Sequence, residues 1–309
     1  AIGAETISGP TRAQHTWTDL EGNRYAALGT SKVLYIYYED KFYDVTPLAT
    51  AITGATFTST NGSNTVTVNK TSHALDVGEY LTFTSVTLPG GGATGFTVAN
   101  FQDFTYEVLT APNANTFTIQ MKSNESGTGM TAAGSASINP YEEIGPTIQT
   151  YGYGWGTSTW SRLTWGSGST TSSVVLDPGS WSLDNFGQQL IATVKDGKTF
   201  VWNPGLSNPL DNRAVVMSGA PTATRLTITS DRDRHVVHFG TETTIGDATT
   251  QDPMFIRFSD QENFSVYQPT SINTAGTFRL DTGNKIVAAV SGKDYNLILT
   301  DQAAYTMQF

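Results

Sequence analysis

The chain has 309 residues, of which 38% are hydrophobic and only 14% charged, and its net charge at pH 7 is −10. This acidity argues against a surface that grips duplex DNA, because neutralising phosphates requires clustered Lys and Arg. The chain has no cysteine, which excludes disulfides, thiolate metal sites and cysteine nucleophiles. It also has no apolar run of 18 residues, no initiator Met and no signal-peptide pattern, so we expect a protein without a membrane span that is processed or is part of something longer.

Short β-strands are predicted along the whole chain. Most of them are runs of β-branched or aromatic residues bounded by Gly, Asp, Asn or Pro. An apolar pattern with the helical period never persists for three turns, so no long helix is predicted. The predicted strands cover residues 26–28, 33–38, 65–69, 80–84, 116–121, 189–194, 199–202, 225–229, 235–239, 254–258, 286–291 and 295–300.

Four segments form a weak repeat of a strand, a polar turn and a second strand. They cover residues 25–47, 189–204, 235–269 and 285–309. Leu190, Val236 and Val287 begin comparable strands at intervals of about 46 and 51 residues, close to the roughly 40 to 50 of a four-stranded propeller blade. The repeat favours a β-propeller over other β-meander folds, which produce similar patterns by chance.

The interval between the first two segments is too long for one blade. Residues 50–140 are poor in charge and rich in Thr, Gly and Asn, which predicts an inserted small β-barrel or sandwich. We therefore predict an all-β chain: a first propeller segment at 1–49, the inserted domain at 50–140 and further blades at 141–309. The final strand pattern predicts an open sheet edge that further blades or a partner would cover.

The histidines do not predict a metal site. His235 and His238 are three positions apart in a predicted strand, so they point to opposite faces. His73 lies in a predicted turn, and His15 is the fourth histidine of the chain. We expect structural roles for these side chains, and we expect neither a metal nor a cofactor.

No motif predicts catalysis. The carboxylate pairs Asp19 with Glu21 and Glu142 with Glu143 are close in sequence, but glycoside hydrolysis needs two carboxyl groups at a fixed distance across the sugar. The GxSxG, GxGxxG and GxxxxGK motifs of hydrolases and nucleotide-binding proteins are absent. We therefore expect that the chain is not an enzyme.

Alternating charges precede one predicted strand. Asp231, Arg232, Asp233 and Arg234 form the sequence DRDR, which lacks the oxygen-ligand spacing of a calcium loop. We predict a solvated turn or ion pairs to a neighbouring subunit.

Large aromatic residues alternate with glycines in residues 151–166. Exposed aromatic rings on Gly-rich loops stack on sugars or anchor protein interfaces, and buried ones fill space between blades. The pattern favours packing or subunit assembly over carbohydrate binding. The residues are Tyr151, Tyr153, Trp155, Trp160 and Trp165.

Three stretches resemble the tail hub or nozzle proteins of short-tailed bacteriophages, also called DNA stabilisation proteins. They are WTDLEGNRYAALGTSKVLYIYYEDKFYDVTPL at 17–48, YGYGWGTSTWSRLTWG at 151–166 and SWSLDNFGQQLIATVKDGKTFVWNP at 180–204. Residues 66–86 and 113–121 resemble a small β module of phage structural proteins. Members of the hub family are generally longer than this chain.

The resemblance implies a virion protein of the phage tail, assembled in the host cytoplasm. Such proteins form a ring, usually of six copies, below the portal and adaptor. They line the DNA exit channel without sequence-specific binding, retain packaged DNA and provide attachment sites for fibres or spikes. The family brings no catalytic residues. The alternatives are a carbohydrate-binding propeller or fibre module that uses Trp155, Trp160 and Trp165, and a glycoside hydrolase with scattered carboxylates.

Overall fold

A computed structural model describes residues 7–146 and 177–309 and confirms the predicted all-β fold class. The chain divides into two compact units. The inserted unit is Thr46–Glu143, and the meander unit comprises the other described residues, on both sides of it. The described α-helix is limited to α1, Val98–Gln102.

The strands follow one another in chain order with short connections. The first part of the meander unit holds β1 Thr11–Thr18, β2 Arg24–Thr30, β3 Leu34–Tyr38 and β4 Lys41–Asp44. The inserted unit holds β5 Ile52–Thr58, β6 Thr65–Asn69, β7 Tyr80–Thr87, β8 Tyr106–Glu107, β9 Thr110–Asn113, β10 Thr116–Gln120 and β11 Ala133–Pro140. The second part of the meander unit holds β12 Trp181–Phe186, β13 Gln189–Val194, β14 Thr199–Trp202, β15 Val215–Val216, β16 Thr224–Ser230, β17 His235–Thr241, β18 Phe255–Phe258, β19 Gly276–Arg279, β20 Ile286–Ser291, β21 Asn296–Thr300 and β22 Ala304–Met307.

The meander unit contains four antiparallel sheets, each made from strands that are consecutive along the unit. Sheet 1 is β1 to β4, sheet 2 is β12 to β15, sheet 3 is β16 to β19 and sheet 4 is β20 to β22. Tight turns suit this order, because antiparallel neighbours need only a hairpin between them.

The second strand of each sheet shows how the sheets cover one another. Every residue of β17 is buried, and β13 is buried from Leu190 to Val194. In β21 the burial alternates, with Asn296, Ile298 and Thr300 buried between more accessible residues. Since successive side chains point to opposite faces, sheets 2 and 3 are covered on both faces at this strand and sheet 4 on one.

Sheets 1 and 2 pack through a glycine and a tryptophan. A Cβ atom added to Gly29 would lie 2.4 Å from Cδ1 of Trp181. The Trp181 indole N–H donates to the carbonyl oxygen of Thr30 at 2.9 Å, which fixes the ring over the glycine. The absence of a side chain at position 29 therefore sets how closely the two sheets approach.

Replacing Gly29 by alanine is expected to lower the free energy of unfolding by about 1–3 kcal/mol, because an overpacked interior must shift. Urea denaturation followed by tryptophan fluorescence measures the change. Gly90→Ala is the control, since an added Cβ there meets no atom within 4 Å. Equal stability of the two variants would contradict this packing role.

The inserted unit is a single curled antiparallel sheet rather than two stacked ones. Its strand order is β8-β7-β11-β5-β6-β10-β9. The concave face holds a core in which the rings of Phe57, Phe83 and Phe101 contact one another, with Phe57 and Phe101 centroids 4.4 Å apart. Helix α1 supplies Phe101 and begins with a capping box in which Thr97 and Asn100 bond each other's backbone.

The repeat seen in the sequence is one strand out of phase at its last member. Leu190 and Val236 lie in β13 and β17, the second strands of sheets 2 and 3, but Val287 lies in β20, the first strand of sheet 4. The matching strand, β21, begins at Asn296, about 61 residues after β17 begins. The predicted interval of about 51 residues was wrong because residues 259–275 lengthen the path from β18 to β19.

Candidate functional site: the first strands of the four sheets

The first strands of sheets 2 and 3 run side by side and are joined through side chains. The Ser182 hydroxyl donates to the carbonyl oxygen of Thr227 at 2.8 Å and accepts from the Thr227 N–H at 3.1 Å. The Asp184 carboxylate accepts from the Thr229 N–H at 2.7 Å. Both pairs are separated by 45 positions, so β12 and β16 run parallel in a single register.

The first strand of sheet 1 joins the same row. His15 Nε2 donates to Oδ1 of Asn185 at 2.8 Å, and the Trp17 indole N–H donates to the carbonyl oxygen of Gln188 at 2.8 Å. Both partners advance along the chain together, so β1 also runs parallel to β12. The row of first strands is therefore held by polar side chains that reach from one sheet to the next.

Asp184 is the most perturbed carboxylate of this row. Burial raises its pKa, against the lowering effect of the N–H groups of Thr229 and Asn185. His15 Nε2 lies 3.9 Å from its Oδ1 atom. A carboxylate beside a histidine can serve proton transfer, but both oxygens of Asp184 already accept backbone N–H groups. The arrangement is that of a connector between strands.

A pocket of about 450 Å³ lies where β12, β16 and β20 begin. Lys195 Nζ is 2.9 Å from Oδ2 of Asp177, and Arg225 Nη2 is 3.8 Å from the same oxygen. Lys285 also lines the pocket. The hydrogen bond and charge of Lys195 lower the pKa of Asp177, and Lys285 and Arg225 lower it further. The apolar part of the lining comes from Trp181, Leu226, Val287, Ala288 and Ala289.

The predicted DRDR turn lies at the opposite end of β16 from this pocket. Arg232 Nη1 lies 3.6 Å from Oδ1 of Asp294, and Arg234 Nε lies 3.1 Å from Oε2 of Glu262, both within the chain. The Arg234 guanidinium also stacks on the ring of Phe186. Ion pairs from this turn to a neighbouring subunit stay a prediction.

The other residues singled out in the sequence lie apart from one another. Tyr151, Tyr153, Trp155, Trp160 and Trp165 fall outside the described residues, so their packing or interface role stays a prediction. Asp19 accepts from the backbone of Glu21 and Asn23 in a turn of sheet 1. Glu142 and Glu143 lie at the end of the inserted unit.

Two of the histidines have clear structural partners. His73 Nε2 donates to the carbonyl oxygen of Asn113 at 3.0 Å, and its Nδ1 accepts from the Leu75 N–H at 3.0 Å. His235 Nδ1 donates to the carbonyl oxygen of Ser259 at 2.8 Å. Residues 7–146 and 177–309 contain no group of three His, Asp or Glu side chains placed to hold a metal ion.

Sheet 3 contains a buried polar cluster that sequence patterns did not reveal. His238 is fully buried and pairs across strands with Arg257, whose guanidinium donates to the carbonyl oxygens of Glu242, Thr243 and Tyr267. Burial and the nearby Arg257 charge lower the pKa of His238 to about 3. A charged residue in an otherwise β-branched strand was the available sequence signal.

No protein-family model matches the chain, and no curated protein matches it. Solved structures that resemble it include the phage phi92 endosialidase, with 13% sequence identity and a TM-score of 0.29. That alignment covers 94% of this chain and 42% of the endosialidase chain. A TM-score this low supports no conclusion about fold or function. Among the described residues, no helix is long and apolar enough to cross a membrane.

Proposed function

We propose that the chain is a structural component of a bacteriophage tail that forms a ring, of six copies, below the portal and adaptor. In this role it lines the DNA exit channel, retains packaged DNA and offers attachment sites to fibres or spikes. The observation that carries the proposal is the row of parallel first strands, each opening a meander sheet that packs on the next. Propeller blades are four-stranded meanders arranged in this way.

The sequence adds two independent supports. The stretches at 17–48 and 180–204, which resemble hub and nozzle proteins, fold as sheet 1 and as the first three strands of sheet 2. The net charge of −10 suits a conduit through which DNA slides, because an acidic surface repels phosphates. Both supports concern a passive structural role, and no catalytic step is proposed.

The proposal is tested on purified virions of the phage that encodes the chain. Mass spectrometry is expected to detect the chain in the particles, and gold-labelled antibodies against it are expected to mark the tail. Cryo-electron microscopy of the tail should then show the chain in a sixfold ring. A chain that is abundant in infected cells and absent from purified particles would overturn the proposal.

A further inference from the structure

We propose that the pocket at the start of β12, β16 and β20 binds a small organic oxyanion, a phosphate or carboxylate group carried on a body with an apolar face. The inference goes beyond the tail role and does not depend on it. It rests on the charges, the lining and the size of the pocket.

The charge of the pocket is unbalanced. Lys195, Arg225 and Lys285 provide three positive charges, and Asp177 is the single carboxylate that lines the pocket with them. In a chain with a net charge of −10, this surplus is local. Like charges held near one another repel, and an anion bound between them relieves that repulsion.

The geometry of the cations suits an oxyanion. Lys195 and Arg225 approach the same oxygen of Asp177, at 2.9 and 3.8 Å, so their donors already converge on one negative oxygen. The side chains of Lys195 and Arg225 are about one-fifth exposed, so a bound anion would be only partly screened by water. Arg offers a planar set of donors that fits phosphate or carboxylate oxygens.

The size and the apolar lining indicate more than a bare ion. A volume of about 450 Å³ is in the range of small-molecule pockets and exceeds what one phosphate needs. Trp181, Leu226 and Ala288 form an apolar surface beside the cations. A ligand that places its anionic group at Arg225 and a ring or hydrocarbon face on this surface satisfies both parts.

Isothermal titration of the purified chain with inorganic phosphate and with phenyl phosphate tests the site. Both are expected to bind at one site, and phenyl phosphate about tenfold more tightly, because its ring leaves water for the apolar surface. A ten-nucleotide single-stranded DNA serves as the third probe and separates a free organic anion from a nucleic-acid backbone. Binding of the DNA that is tighter than that of phenyl phosphate would overturn the assignment to a small ligand.

Matched variants connect binding to these residues. Arg225→Gln and the exposed Lys285→Gln are each expected to weaken phenyl phosphate binding about tenfold, whereas Lys293→Gln removes an exposed charge that does not line the pocket and should leave binding unchanged. Asp177→Asn is expected to tighten binding several-fold, since the competing carboxylate is lost. Absence of saturable binding to the unchanged chain, or equal effects of Lys285→Gln and Lys293→Gln, would refute the site.

Discussion

Replacing Glu125 by alanine is expected to lower the free energy of unfolding of the inserted unit by about 3 kcal/mol or more. The side chain is 2% exposed, yet it is the acceptor for two loops. It receives hydrogen bonds from the hydroxyls of Ser59 and Thr94 and from the N–H groups of Gly95 and Gly127. Removal leaves several buried donors unpaired, and each such group costs about 1–3 kcal/mol.

A graded series separates the charge of Glu125 from its shape. Glu125→Gln keeps one acceptor oxygen for the two glycine N–H groups, while its amide can donate to the hydroxyls, so we expect about half of the alanine effect. Asp76→Ala removes an exposed carboxylate of the same unit and is expected to change stability by less than about 0.5 kcal/mol.

Hydrogen exchange across a urea series, read by mass spectrometry, resolves the effect by segment. Peptides from residues 80–130 should lose protection at lower urea in Glu125→Ala, and peptides from β13 and β17 serve as an internal reference. An alanine variant as stable as Asp76→Ala would show that the four hydrogen bonds contribute nothing net.

The same carboxylate has a predictable dependence on pH. Burial raises the pKa of Glu125, but the hydrogen bonds from Gly95, Ser59, Gly127 and Thr94 outweigh it and hold the pKa below its usual value. Its contribution to stability is therefore present above the unfolded pKa, near 4.3, and is lost as the pH falls through the lower folded value.

The strands that the sequence predicted best are those whose own residues favour β-structure and whose ends carry turn residues. Residues 65–69, 189–194, 199–202 and 286–291 were predicted with the bounds that the structure shows. Strands such as β1, β5 and β19 were missed because Thr, Gly, Gln and Arg dominate them, and pairing with neighbours decides their conformation.

The candidate site was much harder to predict. Lys195, Arg225 and Lys285 are each unremarkable in their local sequence, and they meet only because three parallel first strands begin at one place. That juxtaposition depends on the register between sheets, which the 45-residue spacing of β12 and β16 expresses. The repeat found in the sequence came close to this spacing, at about 46 residues, but its third interval followed the wrong strand.

Acidification from pH 7.5 to 5 is expected to cost the meander unit about 2 kcal/mol through His238 alone. The folded pKa is near 3 and the unfolded one near 6.5, so the unfolded chain binds a proton that the folded chain excludes. Stability is therefore unaffected by this group above pH 7, falls by about 1.4 kcal/mol per pH unit below 6.5, and has lost about 4 kcal/mol near pH 3.

The environment of His238 explains why the folded state refuses the proton. The Arg257 guanidinium faces it from β18, and Tyr267 contacts its ring at 4.9 Å between centroids. Nδ1 lies 3.1 Å from the hydroxyl of Thr227, while Nε2 has no hydrogen-bond partner among the described residues. A proton on either nitrogen would place a second positive charge beside Arg257 without water to solvate it.

Comparing His238→Asn with Val237→Ala at pH 7.5 and 5 isolates this effect. Asparagine does not titrate, so the cavity it leaves lowers stability equally at both pH values and the loss of about 2 kcal/mol on acidification disappears from the difference. Val237→Ala, buried on the same strand, should lower stability and retain the full pH dependence of the unchanged chain. Urea denaturation followed by tryptophan fluorescence reports the meander unit, because residues 46–143 contain no tryptophan. An asparagine variant that keeps the slope of the unchanged chain would assign the acid sensitivity to another group and remove His238 from the account.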